Sequence, residues 1–251
     1  MTFLKGHPFP VVAYFERVVA VSFGFPESIL RPLVDEGLEL DVFEGIGFVT
    51  VALVWTKALR PAGFPEILGR DFFLAGYRVF TRLADEQGRR LRGLKILQSE
   101  TDKRSMVWMG NLLTQYGYRL VKTRIEESGI ETRVRTERSD GVETLDIAFE
   151  ERADGVDLPE GSPFKDWRTA RRFAGPMPFT FSGLGNGDFV VIEGTRQSWS
   201  PRPVHLRHWK VSLFEELPFQ GTSPVVANAF MVRDVPYRWE RGRIIRKQGD
   251  R

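Results

Sequence analysis

The sequence contains no cysteine among its 251 residues. Disulfide bridges, thiolate nucleophiles and cysteine-ligated zinc or iron–sulfur sites are therefore excluded. The chain also lacks a run of about 18 apolar residues, which a membrane-spanning helix needs. Its first residues show no basic segment followed by an apolar stretch of about 7–15 residues. We therefore expect a soluble cytoplasmic protein that does not bind a membrane.

A broad excess of one charge is absent as well. The formal net charge is only +3, and residues 238–251 carry six basic against two acidic side chains, which leaves −1 for the rest. A nearly neutral body lacks the basic face that phosphate binding needs. Nucleic acid is therefore not expected as a partner, and a solvated C-terminal tail accounts for the charge.

Runs of β-branched and aromatic residues between turn signals predict about ten strands. LELDVF and IGFVTVALVW flank a hairpin turn at Glu44-Gly45, and three strands after residue 118 form a meander. A short helix follows Pro26, and two more are predicted in the segments 101–116 and 164–173. These elements predict an α+β protein, a single domain over residues 1–251, whose large curled antiparallel sheet forms a closed or nearly closed β-barrel.

The segment 99–122 organises this prediction. Ser99 or Thr101 is a suitable N-cap for its helix, and Gly117 follows at the C-terminal end. Gly110 lies in the interior, where a glycine is tolerated if a neighbouring element approaches the backbone closely. Apolar residues recur at helical spacing and are expected in the core: Met106, Met109, Leu113 and Tyr116, with Trp108 and Leu112 beside them.

Strand alternation in the segment 73–82 predicts two faces. One carries Leu74, Gly76, Arg78 and Phe80, and the other carries Ala75, Tyr77, Val79 and Thr81. If the Leu74 face lines a cavity, Arg78 points into it, and a guanidinium in partly apolar surroundings favours a carboxylate. The alternative is a buried arginine paired with an acidic side chain such as Glu100 or Asp102.

Several segments together resemble a known family. They are LRPLVDEGLELDVFEG (30–45), YRVFTR (77–82), the strand ending at Ser99 with Asp102 and Arg104 after it, and the helix leading to YGYR. They are similar to the uncharacterised domain of unknown function 2071 family, which resembles acetoacetate decarboxylase in fold. The match covers residues 14–125 well and the C-terminal half weakly. The resemblance implies a cone-like β-barrel with a central cavity.

Chemically, the resemblance implies a lysine that forms a Schiff base with a β-keto acid. Laid on this chain, the place of that lysine falls at Tyr118, and a phenol with a pKa of about 10 cannot form an imine. The glutamate that helps orient the substrate falls at Leu74. Schiff-base decarboxylation is therefore not expected.

Lys95 is the strongest replacement for the missing amine. It lies in a strand with apolar neighbours, and burial would lower its pKa toward the nucleophilic range. The alternative places it on a face that reaches solvent. The candidates for a ligand pocket are therefore Arg78, Tyr118, Leu74, Lys95 and Tyr116.

Neither a metal site nor a cofactor is expected. His205 and His208 lie three positions apart in a predicted strand and are placed on opposite faces, which suits a metal poorly.

Two functional classes remain. In the first, an enzyme acts on a small acid without a Schiff base, with Tyr118 as acid or hydrogen-bond donor and Arg78 as carboxylate clamp. In the second, a non-catalytic protein encloses an apolar or acidic metabolite in its barrel. A small molecule is the expected partner in both, and a homo-oligomer is compatible with the sequence.

Overall fold

The computed structural model describes residues 4–153, 155–175 and 177–246. The end of the predicted basic tail, residues 247–251, lies outside them. The α-helices are α1 Glu27–Leu30, α2 Arg104–Leu113 and α3 Trp167–Phe173, and 3-10 helices cover Leu4–Gly6, Arg31–Leu33, Glu66–Leu68 and Ser212–Glu215. No helix in the described residues is long and apolar enough to cross a membrane.

In chain order the strands are β1 Val11–Pro26, β2 Glu39–Leu40, β3 Ile46–Pro61, β4 Arg70–Ala84, β5 Arg90–Thr101, β6 Tyr118–Leu120, β7 Lys122–Ser128, β8 Glu131–Glu137, β9 Glu143–Glu150, β10 Phe179–Gly183, β11 Phe189–Arg196, β12 Arg202–Pro203, β13 His205–Val211, β14 Val225–Trp239 and β15 Arg243–Ile245.

Seven strands form a ring in the order β14, β1, β3, β4, β5, β10 and β11, and β11 returns to β14. From β14 to β5 the neighbours are antiparallel and pair over most of their length. β10 pairs with β5 in parallel, and β11 meets β14 over three residue pairs, from Gly194 with Trp239 to Arg196 with Tyr237. The predicted nearly closed barrel is confirmed, with a mixed rather than wholly antiparallel sheet.

Side chains alternate between the two faces of the ring strands. In β4, Ala75, Tyr77 and Val79 join the largest buried apolar cluster. Leu74, Arg78 and Phe80 instead line the space inside the ring. The predicted parity of this strand is confirmed.

A second, antiparallel sheet of β13, β9, β8 and β7 packs on the outer face of the ring. Its Val134 and Ile147 share a core with Val19, Val49 and Tyr77 of the ring. The predicted meander is confirmed as β7, β8 and β9. Its first strand is divided, however, because β6 pairs with β5 and only β7 continues into the second sheet.

The central helix is shorter than predicted. α2 covers Arg104–Leu113 rather than 101–116, because Ser99 and Thr101 belong to β5 and pair with β6. At its C-terminal end, the backbone and side chain of Thr114 both donate to the carbonyl of Gly110. Of the expected apolar stripe, Met106 is buried. Trp108 and Leu112 were wrongly assigned to it, since they lie on the outer side and are 69% and 40% exposed.

The turn at Glu44-Gly45 is confirmed, with left-handed φ values of 51° and 81°. The hairpin around it is not, since it is reduced to a single bridge between Phe43 and Ile46. The segment before the turn contributes only β2, which pairs with β4. Asp41, fully buried, holds this segment there through ion pairs with Arg82 and Arg92.

Candidate functional site

The ring encloses a cavity of about 420 Å³. Most of its lining is apolar, from the inner faces of β1, β3, β4 and β5, from β14 and from α2. Among the described residues that line it, none is aspartate, glutamate or lysine, whereas four are arginines: Arg60, Arg70, Arg78 and Arg196. His7 also lines it, but burial lowers the pKa of its imidazole and so favours the neutral form. The space is therefore apolar and biased toward anions.

Arg78 brings a guanidinium onto the inner face of β4. The pairing of β4 with β5 is irregular here, since Tyr77 lies opposite Gln98 but Arg78 lies opposite Ile96. Such bulges re-aim side chains. The guanidinium lies over Gly76, where an added Cβ would be 3.0 Å from Nη2. The Nε of Arg78 is buried without a hydrogen-bond partner, and the described residues offer the side chain no ion pair.

Tyr118 enters the cavity from the first residue of β6. Its ring lies directly on α2, because a Cβ added at Gly110 would be only 2.3 Å from Cδ2 of Tyr118. Asn111 fixes the backbone of the same residue: its Nδ2 donates to the Tyr118 carbonyl at 2.9 Å, and its Oδ1 accepts from the Tyr118 amide at 2.8 Å. The interior glycine of α2 is thus explained by the close approach that the sequence predicted.

The phenols around Arg78 are neutral donors at ordinary pH. Burial raises the pKa of Tyr118 to about 12, although the positive charge of Arg78 opposes the shift. Burial also raises the pKa values of Tyr116 and Tyr237. Burial lowers the pKa of Arg78, and the three neighbouring tyrosines oppose that decrease. Because an arginine keeps its proton in proteins, the cavity holds a charged guanidinium among neutral hydroxyl groups.

The structure brings four of the five candidate residues to the cavity: Arg78, Tyr118, Leu74 and Tyr116. Tyr116 contributes its ring, since its hydroxyl is covered and makes no hydrogen bond with the described residues. The side chain of Thr180 lies beside that hydroxyl and opposes the rise in the pKa of Tyr116 that burial causes. Lys95 is not a lining residue, because it points to the other face of β5, where its Nζ donates to Asp35 at 2.6 Å.

Neither acidic partner considered for Arg78 is paired with it. Oε2 of Glu100 accepts hydrogen bonds from Tyr77, Thr136 and Thr144, each at 3.0 Å, on the outer face of the ring. Oδ1 of Asp102 accepts from the backbone amide of Phe73 at 2.9 Å.

Several polar and aromatic lining residues were not predicted from the sequence, among them Arg196, Trp199 and Tyr237. Arg196 ends β11, and its guanidinium lies 5.0 Å from the ring of Trp199. Tyr237 belongs to a part of β14 beyond the predicted strand, behind Pro236. A proline usually marks the end of a strand, but the period-two continuation Val235, Tyr237, Trp239 was a usable signal.

The two histidines of β13 lie on the same face, contrary to the expectation. A bulge between Leu206 and His208 sets His205 opposite Glu150 and His208 opposite Ala148. No group of three or more metal-ligating side chains occurs within the described chain.

Chemically, the cavity offers donors and few acceptors. Guanidinium nitrogens donate only, and neutral phenols donate readily to an anion. The lining described above has no amine that could form an imine and no carboxylate that would compete for the guanidinium. The arrangement can hold a small anion that carries an apolar body.

Solved structures with this fold are similar over nearly the whole chain. Acetoacetate decarboxylase from Legionella pneumophila subsp. pneumophila str. Philadelphia 1 is 9% identical, with a TM-score of 0.66 over 95% of this chain and 88% of that one. An acetoacetate decarboxylase-like enzyme from Sphingomonas wittichii RW1 is 11% identical, with a TM-score of 0.62 over 96% and 94%. The enduracididine biosynthesis enzyme MppR, complexed with pyruvate, is 11% identical, with a TM-score of 0.60 over 94% and 90%.

At such identities these likenesses show the fold alone. No curated protein matches the sequence. A family model, DUF2071, described as an uncharacterized conserved protein, matches residues 13–245.

Proposed function

Because the chain belongs to the DUF2071 family and has the acetoacetate decarboxylase-like fold, we propose that it binds a small carboxylate with an apolar body inside the barrel, without forming a Schiff base. The observation that carries this proposal is Arg78, a guanidinium without an ion pair in a cavity whose described lining has no acidic side chain. A buried charge left without a counter-ion is costly, so an anionic ligand is the partner that this position favours.

A carboxylate matches the geometry of a guanidinium. The planar fork of arginine can donate two parallel hydrogen bonds to the two carboxylate oxygens. Tyr118, whose phenol stays protonated with a pKa of about 12, is the proposed second donor. The apolar lining removes water from both contacts and thereby strengthens them.

The absence of an imine is supported by the residues of the cavity. The described lining contains no lysine, and Tyr118 takes the place that the family resemblance assigns to the nucleophile. Lys95 is engaged by Asp35 outside the cavity. The pyruvate in the complex of the structural neighbour MppR is itself a small carboxylate, which agrees with the proposed class of ligand.

The proposal is tested by calorimetric titration of short keto acids and fatty acids into the wild type and Arg78→Ala. Charge-assisted hydrogen bonds contribute about 1.5–3 kcal/mol each, so the variant is expected to bind tenfold or more weakly. The control is Arg152→Ala, which removes an exposed arginine from an ion pair with Glu150. Unchanged binding of every acid by Arg78→Ala would refute the proposal.

Treatment with a keto acid and borohydride tests the absence of an imine. The mass of the protein is expected to stay unchanged. A stable adduct on any lysine would contradict the proposal, and turnover of an acid that Arg78→Ala abolishes would show that the site is catalytic rather than a binding site only.

A further inference from the structure

One row of residues across the ring has almost no side chains. Ala20 of β1 lies opposite Ala52 of β3, Ala52 opposite Gly76 of β4, and Gly76 opposite Ser99 of β5. We call Ala20, Ala52, Gly76 and Ser99 the small-residue row. Ala20, Ala52 and Ser99 line the cavity, and Gly76 lies beneath the guanidinium of Arg78.

The rows on both sides of the small-residue row are taller. On one side Val18, Val54 and Leu74 lie opposite one another. On the other side Thr50, Arg78 and Ile96 do, and only the β1 member of that row, Ser22, is small. Rows on one face of a sheet are about 6.7 Å apart along the strands. The small-residue row is therefore the floor of a trough that crosses the strands, with Tyr118 opposite Ser99 at one end and Phe230 opposite Ala20 at the other.

We propose that the apolar body of the ligand lies in this trough, and that the ligand is a monocarboxylate of about eight to twelve carbons; the inference rests on the carboxylate site proposed for Arg78. Arg78 gives the direction, because its guanidinium folds over Gly76 and would hold the carboxylate at that point of the row. The body then crosses Ala52 and Ala20 and ends against Phe230.

The length follows from the spacing of strands. Neighbouring strands are about 4.8 Å apart, so the path from Gly76 to Ala20 is about 10 Å long. An extended carbon chain advances about 1.25 Å per bond when its bonds are about 1.52 Å long, and about eight carbons cover that distance. The volume agrees, since 420 Å³ at about 30 Å³ per non-hydrogen atom holds about 14 atoms. A four-carbon keto acid fills only half of this space.

The experiment measures the affinities of straight-chain carboxylates from butanoate to tetradecanoate by calorimetry. Each methylene buried in the trough is expected to raise the affinity about fourfold. Octanoate should therefore bind about 200-fold more tightly than butanoate, and the increase should stop between about eight and twelve carbons.

Two variants fill the trough at different distances from Arg78. In Ala20→Leu, butanoate should bind within twofold of the wild type, whereas octanoate should bind at least tenfold more weakly. In Ala52→Leu the affinity should stop rising at a still shorter chain. Ala84→Leu is the matched control, because Ala84 lies at the exposed end of β4, and it should leave the series unchanged. Thermal melting establishes that each variant is folded, and Ala20→Val replaces Ala20→Leu if the larger side chain prevents folding.

Failure of the trough and failure of the carboxylate site at Arg78 give different results. If Arg78→Ala loses the acids but the folded trough variants keep the wild-type dependence on chain length, the carboxylate site stands and the trough is wrong. If Arg78→Ala binds all acids as the wild type does, the carboxylate site itself is wrong. An affinity that is flat from butanoate upward in the wild type also overturns the trough.

Discussion

Tyr77 and Arg78 are consecutive residues of β4, but their side chains enter two buried polar clusters of opposite character. On the outer face, Tyr77 donates to Glu100, and Thr136 and Thr144 donate to the same carboxylate oxygen. On the inner face, the Nε of Arg78 has no hydrogen-bond partner within the part of the chain that the structure describes. One strand therefore carries a polar cluster whose hydrogen bonds are made within the protein on one face, and a guanidinium with an unused donor on the other face.

The difference agrees with a structural role for the outer cluster and with the ligand-binding role that we propose for the inner one. A buried polar group is tolerated when its hydrogen bonds are made within the protein, and those hydrogen bonds then contribute to the stability of the fold. The outer cluster joins two sheets in this way, since Glu100 comes from the ring and both threonines come from the second sheet. Arg78 makes no ion pair with the described residues and its Nε has no hydrogen-bond partner among them, so its donors are available to a molecule from outside the chain.

The largest expected effect is on stability, at Glu100. Glu100→Ala should lower the free energy of unfolding by about 2 kcal/mol or more, because each buried unsatisfied group costs about 1–3 kcal/mol. The hydroxyl of Tyr77 loses its acceptor, and Thr136 and Thr144 keep only the hydrogen bonds that they make with each other. Urea denaturation measures the change as a shift of the midpoint at constant slope.

Arg78→Ala is the counterpart on the inner face. It should change the free energy of unfolding by less than about 1 kcal/mol, since it leaves no partner unsatisfied. If the two variants are equally destabilised, the distinction between a structural and a ligand-binding cluster fails.

Both clusters were only partly predictable from the sequence. The period of two placed Tyr77 and Arg78 on opposite faces of one strand, because this alternation depends on local geometry alone. It did not assign a partner to either side chain. The acceptor of Tyr77 lies on β5 and the remaining donors on the second sheet, and such pairings depend on contacts distant in sequence.

Other features could not be predicted from the sequence for similar physical reasons. The residues Arg196 and Tyr237 meet only where β11 closes the ring against β14, a seam of three pairs that no local pattern marks. The direction of Lys95 was left open because its strand has apolar residues on both faces, so that alternation does not distinguish them. Gly110 was interpretable, since a glycine inside a helix has few explanations other than close approach.

The contribution of Glu100 to stability should depend on pH. Burial raises the pKa of Glu100, although its three hydroxyl donors and the charge of Arg119 oppose the shift. Glu100 therefore holds its proton more tightly in the folded chain than in the unfolded chain, where the pKa is about 4.3. A group of this kind reduces stability as the pH rises from about 4.3 through the raised pKa.

Glu100→Gln removes that titration. Relative to the wild type, the variant should gain stability as the pH rises through this window, by at most about 1.4 kcal/mol per pH unit, and the difference should level off above it. Carboxyl groups with lowered pKa values, such as Asp146 and Asp166, give the opposite slope but cancel in the difference. Urea denaturation at several pH values provides the measurement. A difference that is independent of pH would show that Glu100 titrates alike in both states.

The smallest expected effects come from a matched pair of substitutions, Tyr77→Phe and Tyr118→Phe, one for each cluster. Each removes a single hydroxyl group and leaves the aromatic ring in place, so that packing is preserved. A hydrogen bond contributes about 1 kcal/mol in either setting, but the two variants should show the loss in different measurements. Tyr77→Phe should reduce the free energy of unfolding by about that amount and leave acid binding unchanged.

Tyr118→Phe should behave in the opposite way. Its hydroxyl is a neutral donor, since burial holds the pKa at about 12, and its ring is already fixed by Gly110 and its backbone by Asn111. The free energy of unfolding should therefore stay the same, while a carboxylate should bind about fivefold more weakly, a smaller loss than the tenfold or more expected for Arg78→Ala because one neutral donor is removed instead of a charged fork. Calorimetry measures the affinity of both variants for the carboxylate, and urea denaturation measures their free energies of unfolding. If Tyr118→Phe loses stability and keeps its affinity, the hydroxyl serves the fold, and the carboxylate is held by Arg78 alone.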